Sequence, residues 1–126
     1  MKQKFIGKLL SHRLRGFDRF EHSPEALRRS CAATPHYLEV DTRVSKDGEI
    51  FVYHNPCCGQ ELSERLCFPS SEASMLKLIT FPNGDPILTL EAAIAYFRKH
   101  ANDAHRLCID IKDCGFEDRY VEVVVD

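Results

Sequence analysis

A chain of 126 residues, 44% hydrophobic and 29% charged, is long enough for one domain with a real core and is ordinary in composition for a soluble globular protein. Its net charge of −2 leaves no case for a nucleic-acid or anionic-membrane surface, and no stretch of about 20 apolar residues predicts a transmembrane segment. One domain over residues 1–126 is expected. The N-terminal stretch is basic but lacks the apolar core and small-residue cleavage site of a signal peptide, so the cytoplasm is the expected compartment.

Residues 4–11 read as a first strand that delivers His12 and Arg13 at its end. Residues 13–22 form a charged, aromatic loop with Gly16 as its flexible point. Ser23-Pro24-Glu25 is a helix start, with a Ser N-cap, Pro in the first turn and Glu against the positive end of the dipole. That helix is expected to bury Ala26 or Leu27 together with Cys31, and to stop near Thr34-Pro35. A second strand opens at Tyr37. Strand, helix and strand within about 35 residues is the βαβ signature of parallel strands.

The second strand carries Glu39 and Asp41 on one face, because side chains alternate with period two. Asp47-Gly48 marks a turn, after which IFVYH forms a third strand ending on His54. Only about seven residues separate these strands, too few for a helix, and both a tight hairpin and an extended return fit. Residues 55–86 are punctuated by Asn, Pro and Gly and read as a long loop with a short helix near residues 71–78. TLEAAIAYFRKH is a helix capped by Thr89, with Leu90, Ala93, Ile94 and Phe97 as its apolar stripe. RLCIDIK, residues 106–112, is a fourth strand with Leu107, Ile109 and Ile111 on one face and Cys108, Asp110 and Lys112 on the other. Residues 116–126 suit a helix start or a strand equally.

The six cysteines are expected to be reduced, since disulfides go with a secretory signal and none is recognised. No pair has C-x-x-C zinc spacing. Cys31 and Cys108 read as small buried residues.

Two carboxylates on one strand face repel unless a cation lies between them. Glu39 and Asp41 with His54 beside them suit a hard divalent ion with a proton-transfer residue. They equally suit a half-exposed strand whose acidic face meets water. His12, Glu39, Asp41, His54, Asp110 and Lys112 all fall at or near the ends of predicted strands, which form the active face of an α/β barrel.

The order HRLRG, SPEAL, LEVDTRVSKDGEIFVYHN, TLEAAI and IDIK resembles the glycerophosphodiester phosphodiesterase family, within the phosphatidylinositol-phospholipase-C-like group. The resemblance runs from His12 to Lys112. It implies the N-terminal half of a TIM-type (β/α)8 barrel, with about four parallel strands and flanking helices. It also implies a phosphoric diester hydrolase that uses Mg2+ or Ca2+ and takes a small-molecule phosphodiester. His12 and His54 would be its catalytic pair, Glu39, Asp41 and Asp110 its metal ligands, and Arg13 and Lys112 its phosphate-facing cations. The sequence departs from the family pattern at four places. Leu14 and Arg15 precede Gly16, and Ala26-Leu27 replaces Asn-Thr. Asp110 replaces Glu, as in the sphingomyelinase-D-like branch, and Asn55 replaces Asp. A full barrel takes about 250 residues, so roughly half is expected here, with open sheet edges that call for a second copy or a missing C-terminal half. A non-catalytic relative acting as a binding or assembly piece, or without function, is the alternative expectation, and a generic α/β domain a weaker one.

Overall fold

A computed structural model describes residues 10–11, 22–32, 37–101 and 105–125. The elements run β1 (Leu10–Ser11), α1 (Pro24–Ala32), β2 (Tyr37–Val44), β3 (Ile50–Val52), a 3-10 turn (Phe68–Ser70), α2 (Ala73–Leu76), α3 (Leu90–His100), β4 (Arg106–Ile111) and α4 (Glu117–Val125). Of the predicted first strand only Leu10 and Ser11 are described, and His12, Arg13 and Gly16 lie outside the described residues.

β2 is the hub of the sheet. Its residues 37–42 pair in parallel with β4, and its first two residues pair in parallel with β1 on the opposite edge. That second edge continues with β3, which pairs antiparallel through Thr42↔Val52, Arg43↔Phe51 and Val44↔Ile50. Among the described residues the expectation of about four parallel strands is therefore corrected: three strands are parallel and IFV turns back. Five residues between β2 and β3 suffice for a hairpin, whereas a parallel return needs a crossover of a dozen or more. Gly48 sits at φ +90, which the turn requires and which other residues resist. Its amide donates to the Ser45 carbonyl at 3.0 Å. Asp47 reinforces the turn by accepting from Ser45 Oγ at 2.6 Å and from the Ala73 amide at 2.9 Å.

Period two splits β2 between two environments. Leu38 and Val40 are fully buried under α1 and α3, with Ala26, Leu27, Cys31, Leu90, Ala93 and Ile94. Glu39 and Asp41 take the other side. The helices form for the reasons read in the sequence. Ser23 Oγ accepts from the Ala26 amide at 3.1 Å, and Thr89 Oγ1 accepts from the Ala92 amide at 3.1 Å. Residues 117–125 are helical: Tyr120 is buried against the sheet, while Val121, Val124 and Val125 face outward.

Residues 53–88 are more than a loop. Phe51, Tyr53, Cys58, Leu62, Phe68, Leu76, Ile79, Phe81 and Ile87 form a second buried cluster, separate from the core beneath α1 and α3. Phe68 packs between Phe51 and Tyr53, with ring centroids 5.7 and 5.5 Å away. Burying an aromatic of that size contributes about 1.5–3 kcal/mol. Cys57 and Cys67 are joined by a disulfide, which corrects the expectation of six reduced cysteines. These two residues face each other as an antiparallel bridge pair, a juxtaposition their spacing of ten does not announce. Cys31 is buried as expected, whereas Cys108 is only half-buried.

Candidate active site

Asp41 and Asp110 are register partners on β2 and β4, so their side chains leave the sheet side by side. Glu39, two residues earlier, shares their face and has Cys108 as its partner. Asp41 is 1% exposed. Lys112 Nζ lies 2.8 Å from Asp110 Oδ2 and 3.6 Å from Asp41 Oδ1, so one ammonium serves both carboxyls.

The two carboxyls are pushed in opposite directions. Burial, and then the neighbouring Asp110 carboxyl, raise Asp41 above the usual carboxylate range, against the pull of Lys112 and His54. The hydrogen bond from Lys112 holds Asp110 below that range. The same contact lifts the Lys112 ammonium above its ordinary value.

His54 follows β3, at the start of the second cluster's segment. Its Nδ1 lies 2.7 Å from Asn55 Oδ1, so with Nδ1 protonated the amide oxygen accepts and Nε2 is left to take a proton. His54 bears on both carboxyls, lowering each of them. Arg43 fixes the backbone here by donating from Nε to the His54 carbonyl at 2.9 Å. The same guanidinium donates to Asp113 Oδ1 at 3.1 Å, and Asp113 Oδ2 accepts from the Val44 amide at 2.8 Å. Asp113 thus ties the end of β4 to the end of β2 and, through Arg43, to His54.

Three further residues escaped the sequence reading. His22, placed there in a charged loop, is fully buried, and its Nε2 accepts from the Asp41 amide at 2.9 Å. Tyr53 donates its amide to the Asp41 carbonyl at 3.0 Å. Together they satisfy the backbone of β2 in the gap between β1 and β3. His22 has φ 63, which places its ring there. Tyr120 contributes from α4: its hydroxyl contacts Thr42 Oγ1, which donates to the Asp110 carbonyl at 3.0 Å. Only the local pattern Ser23-Pro24, which ends the preceding loop at His22, hinted at any of these.

Of the predicted site residues, the fold brings Asp41, Asp110 and Lys112 into contact and sets His54 nearby, with Glu39 on the same face. The donor chemistry suits a hard dication, because carboxylate oxygens are its preferred ligands and a positive charge would offset the burial, and then the neighbouring Asp110, that raise Asp41. Among the described residues, no group of three His, Cys, Asp or Glu side chains is gathered closely enough to hold a metal ion. Beside Lys112 a cleft of about 310 Å³ opens toward Lys46, with Val44, Pro69 and Phe116 as apolar walls.

This arrangement, carboxyls at the C-terminal ends of parallel strands, defines the N-terminal half of a TIM-type barrel. Its likeness is to glycerophosphodiester phosphodiesterases. The enzyme of that name from Agrobacterium tumefaciens superposes with a TM-score of 0.77 at 20% identity, over 96% of this chain and 56% of that one. An Oleispira antarctica phosphodiesterase, solved with the product sn-glycerol-3-phosphate, gives a TM-score of 0.77 at 20% identity, covering 95% of this chain and 52% of its own. A Thermotoga maritima glycerophosphodiester phosphodiesterase gives 0.70 at 22% identity, covering 98% and 50%. The chain thus spans about half the length of the solved structures it matches. No protein-family model and no curated protein matches it. Among the described residues, no helix is long and apolar enough to cross a membrane.

Proposed function

We propose that this chain carries the acidic half-site of a phosphodiester hydrolase of the glycerophosphodiester type, cleaving a glycerophosphodiester to an alcohol and glycerol 3-phosphate. The observation that carries this reading is the Asp41–Asp110 pair with Lys112 at one strand-end face, in a fold shared with phosphodiesterases of known structure. Mg2+ or Ca2+ is the proposed cofactor, with Asp41, Asp110 and Glu39 as ligands that would have to draw closer together than they stand here; when bound it would supply Lewis acidity toward a phosphoryl oxygen. His54 moves the proton at Nε2, taking it from the attacking hydroxyl or giving it to the leaving alkoxide, with Asn55 holding the ring. His12 is its proposed partner in this acid–base pair. Arg13 and Lys112 are the proposed cations for phosphoryl charge.

The cytoplasm is the proposed compartment. A partner completes the site in this reading, either a second copy of the chain or the other half of a barrel. The second reading is a non-catalytic relative, and the half-length match to the solved structures is what favours it. Hydrolysis of glycerophosphodiesters by the purified chain, with and without Mg2+ or Ca2+, separates the two. Metal-dependent release of glycerol 3-phosphate that falls about 10²–10⁴-fold in His54→Ala supports the hydrolase. Turnover unaffected by His54→Ala and Asp110→Asn overturns the roles assigned.

A further inference from the structure

The proposed chemistry leaves the cleft beside Lys112 without a role. It opens on the strand-end face that carries Asp41 and Asp110, and four stretches of chain converge on it: the end of β2 with the turn that follows, the 3-10 turn, the end of β4 and the segment before α4. At about 310 Å³ it lies at the small end of the range of about 300–1,000 Å³ that small-molecule sites occupy. Its charged lining is Lys46, Lys112 and Asp113. Two of these are balanced within the chain. Asp113 accepts from Arg43 and from the Val44 amide, and the Lys112 ammonium faces Asp110 and Asp41. Lys46 differs, since its exposed side chain has no ion-pair partner among the described residues. The acidic groups beside it on the turn are engaged elsewhere, Asp47 by Ser45 Oγ and the Ala73 amide, and Glu49 by Lys77 at 3.0 Å. The backbone beneath it is pinned. The Lys46 amide donates to the Ser71 carbonyl at 3.0 Å, and the Ser45 amide to the Glu49 carbonyl at 2.9 Å.

We propose that this cleft is the subsite for the leaving alcohol and that Lys46 is its specificity-determining residue, selecting phosphodiesters whose alcohol carries a negative charge. The assignment rests on the phosphodiester reading of the same face. With the phosphoryl group at Lys112, a substrate arm that enters the cleft meets the Lys46 ammonium. The glycerol arm is uncharged and gives that ammonium nothing to neutralise. A carboxylate or a second phosphate on the alcohol arm does, through a charge-assisted hydrogen bond. Val44, Pro69 and Phe116 supply apolar surface for the short carbon chain between the phosphoryl oxygen and the distal charge. A cationic alcohol is disfavoured on two counts. It meets a like charge, and Phe116 is the one aromatic ring in the lining, where recognition of a quaternary ammonium calls for ring faces around the cation.

The test takes the full chain and the glycerophosphodiesters of glycolate, ethylene glycol and choline, whose alcohol arms end in an anion, a neutral hydroxyl and a cation. Dissociation constants are measured by calorimetry with Mg2+ present, on a His54→Ala background so that no diester is consumed. The glycolate diester should bind about tenfold more tightly than the choline diester, with the ethylene glycol diester between them. Lys46→Met should shrink that ratio to about twofold, Lys46→Glu should invert it and Lys46→Arg should keep it. Lys99→Met, which removes an exposed ammonium on α3 outside the cleft lining, should leave the ratio as it was. Equal affinities for the three diesters overturn the subsite, as does a ratio that Lys46→Met leaves intact or a failure of all three to bind. A loss of glycerol 3-phosphate affinity in Lys46→Met as large as the loss for the glycolate diester overturns it too, because that product lacks the alcohol arm. Release of glycerol 3-phosphate is assayed separately in the chain that retains His54. Ordered affinities without release keep the subsite and remove the hydrolase, and equal kcat/KM for all three diesters does the reverse.

Discussion

Asp41 and Asp110 stand opposite each other on neighbouring parallel strands, one buried and inclined to keep its proton, the other pinned as an anion by Lys112. A like-charge pair of this kind costs stability that a packed apolar pair would not.

Replacing Asp41 by Asn is therefore expected to stabilise the chain. The sign follows from the raised value: a carboxyl easier to protonate when folded contributes stability at low pH and loses it as pH rises through its folded value. Asp110 works the other way, contributing above its unfolded value and losing that contribution as pH falls through its lowered one. Asp41→Asn should raise stability at neutral pH by about 1 kcal/mol and flatten the decline on the alkaline side of the carboxylate range. Thermal melts between pH 4 and 8 check this, and a lower melting temperature at pH 7 counts against it.

A dication at the pair would be read in the same melts. Ligand at one hundred times its dissociation constant stabilises by about 2.7 kcal/mol. Mg2+ or Ca2+ should raise the melting temperature of the native chain and have no effect on Asp110→Asn. Lys112 Nζ competes for the same oxygens, so Lys112→Met should bind the dication more tightly. Calorimetry giving equal affinities for native chain and Asp110→Asn removes the metal assignment.

Asp113→Ala should cost about 1–3 kcal/mol, because it leaves the half-buried Arg43 without its ion pair and the Val44 amide without its acceptor. The expected signature beyond stability is greater motion at His54, whose carbonyl Arg43 holds. Denaturant melts measure the first effect, and amide exchange near His54 the second. A stability change with no change at His54 reduces Asp113 to a simple strand tie.

The outer side of β4 and α4 exposes Ile111, Val121, Val124 and Val125 with no charged group between them. Apolar side chains exposed together beside the β4 edge favour association. The chain is expected to form dimers or larger species in sedimentation at micromolar concentration, and Val121→Asp with Val125→Asp to shift it toward monomer with its far-ultraviolet circular dichroism retained. A native chain that is monomeric at 100 µM, on the order of ten times the concentration a weak dimer needs, shows that the face needs no cover.

Most of the described elements were legible in the chain, although residues 116–126 suited helix and strand equally. Alternation in LEVD and RLCIDI put Asp41 and Asp110 on strand faces, and Ser23-Pro24 and Thr89 fixed two helix starts, because these depend on neighbours a few residues apart. Even the Asp47-Gly48 turn was local, although its length decided for a hairpin only once β3 was seen to pair antiparallel. What the chain order does not encode is which distant groups share a place. Register between β2 and β4 decided that Asp41 meets Asp110, and only then did Lys112 become their common counter-charge. Burial made His22 the acceptor for the Asp41 amide, although its neighbours Phe20, Glu21 and Ser23 mark it as loop. The 53–88 segment, full of turn residues, gained a core of its own because Phe51, Phe68 and Phe81 converge from three separate stretches. The same convergence brought Cys57 opposite Cys67. Local propensity is set by the backbone and nearest neighbours, whereas pairing, burial and charge balance are set by contacts that exist only after the chain has closed on itself.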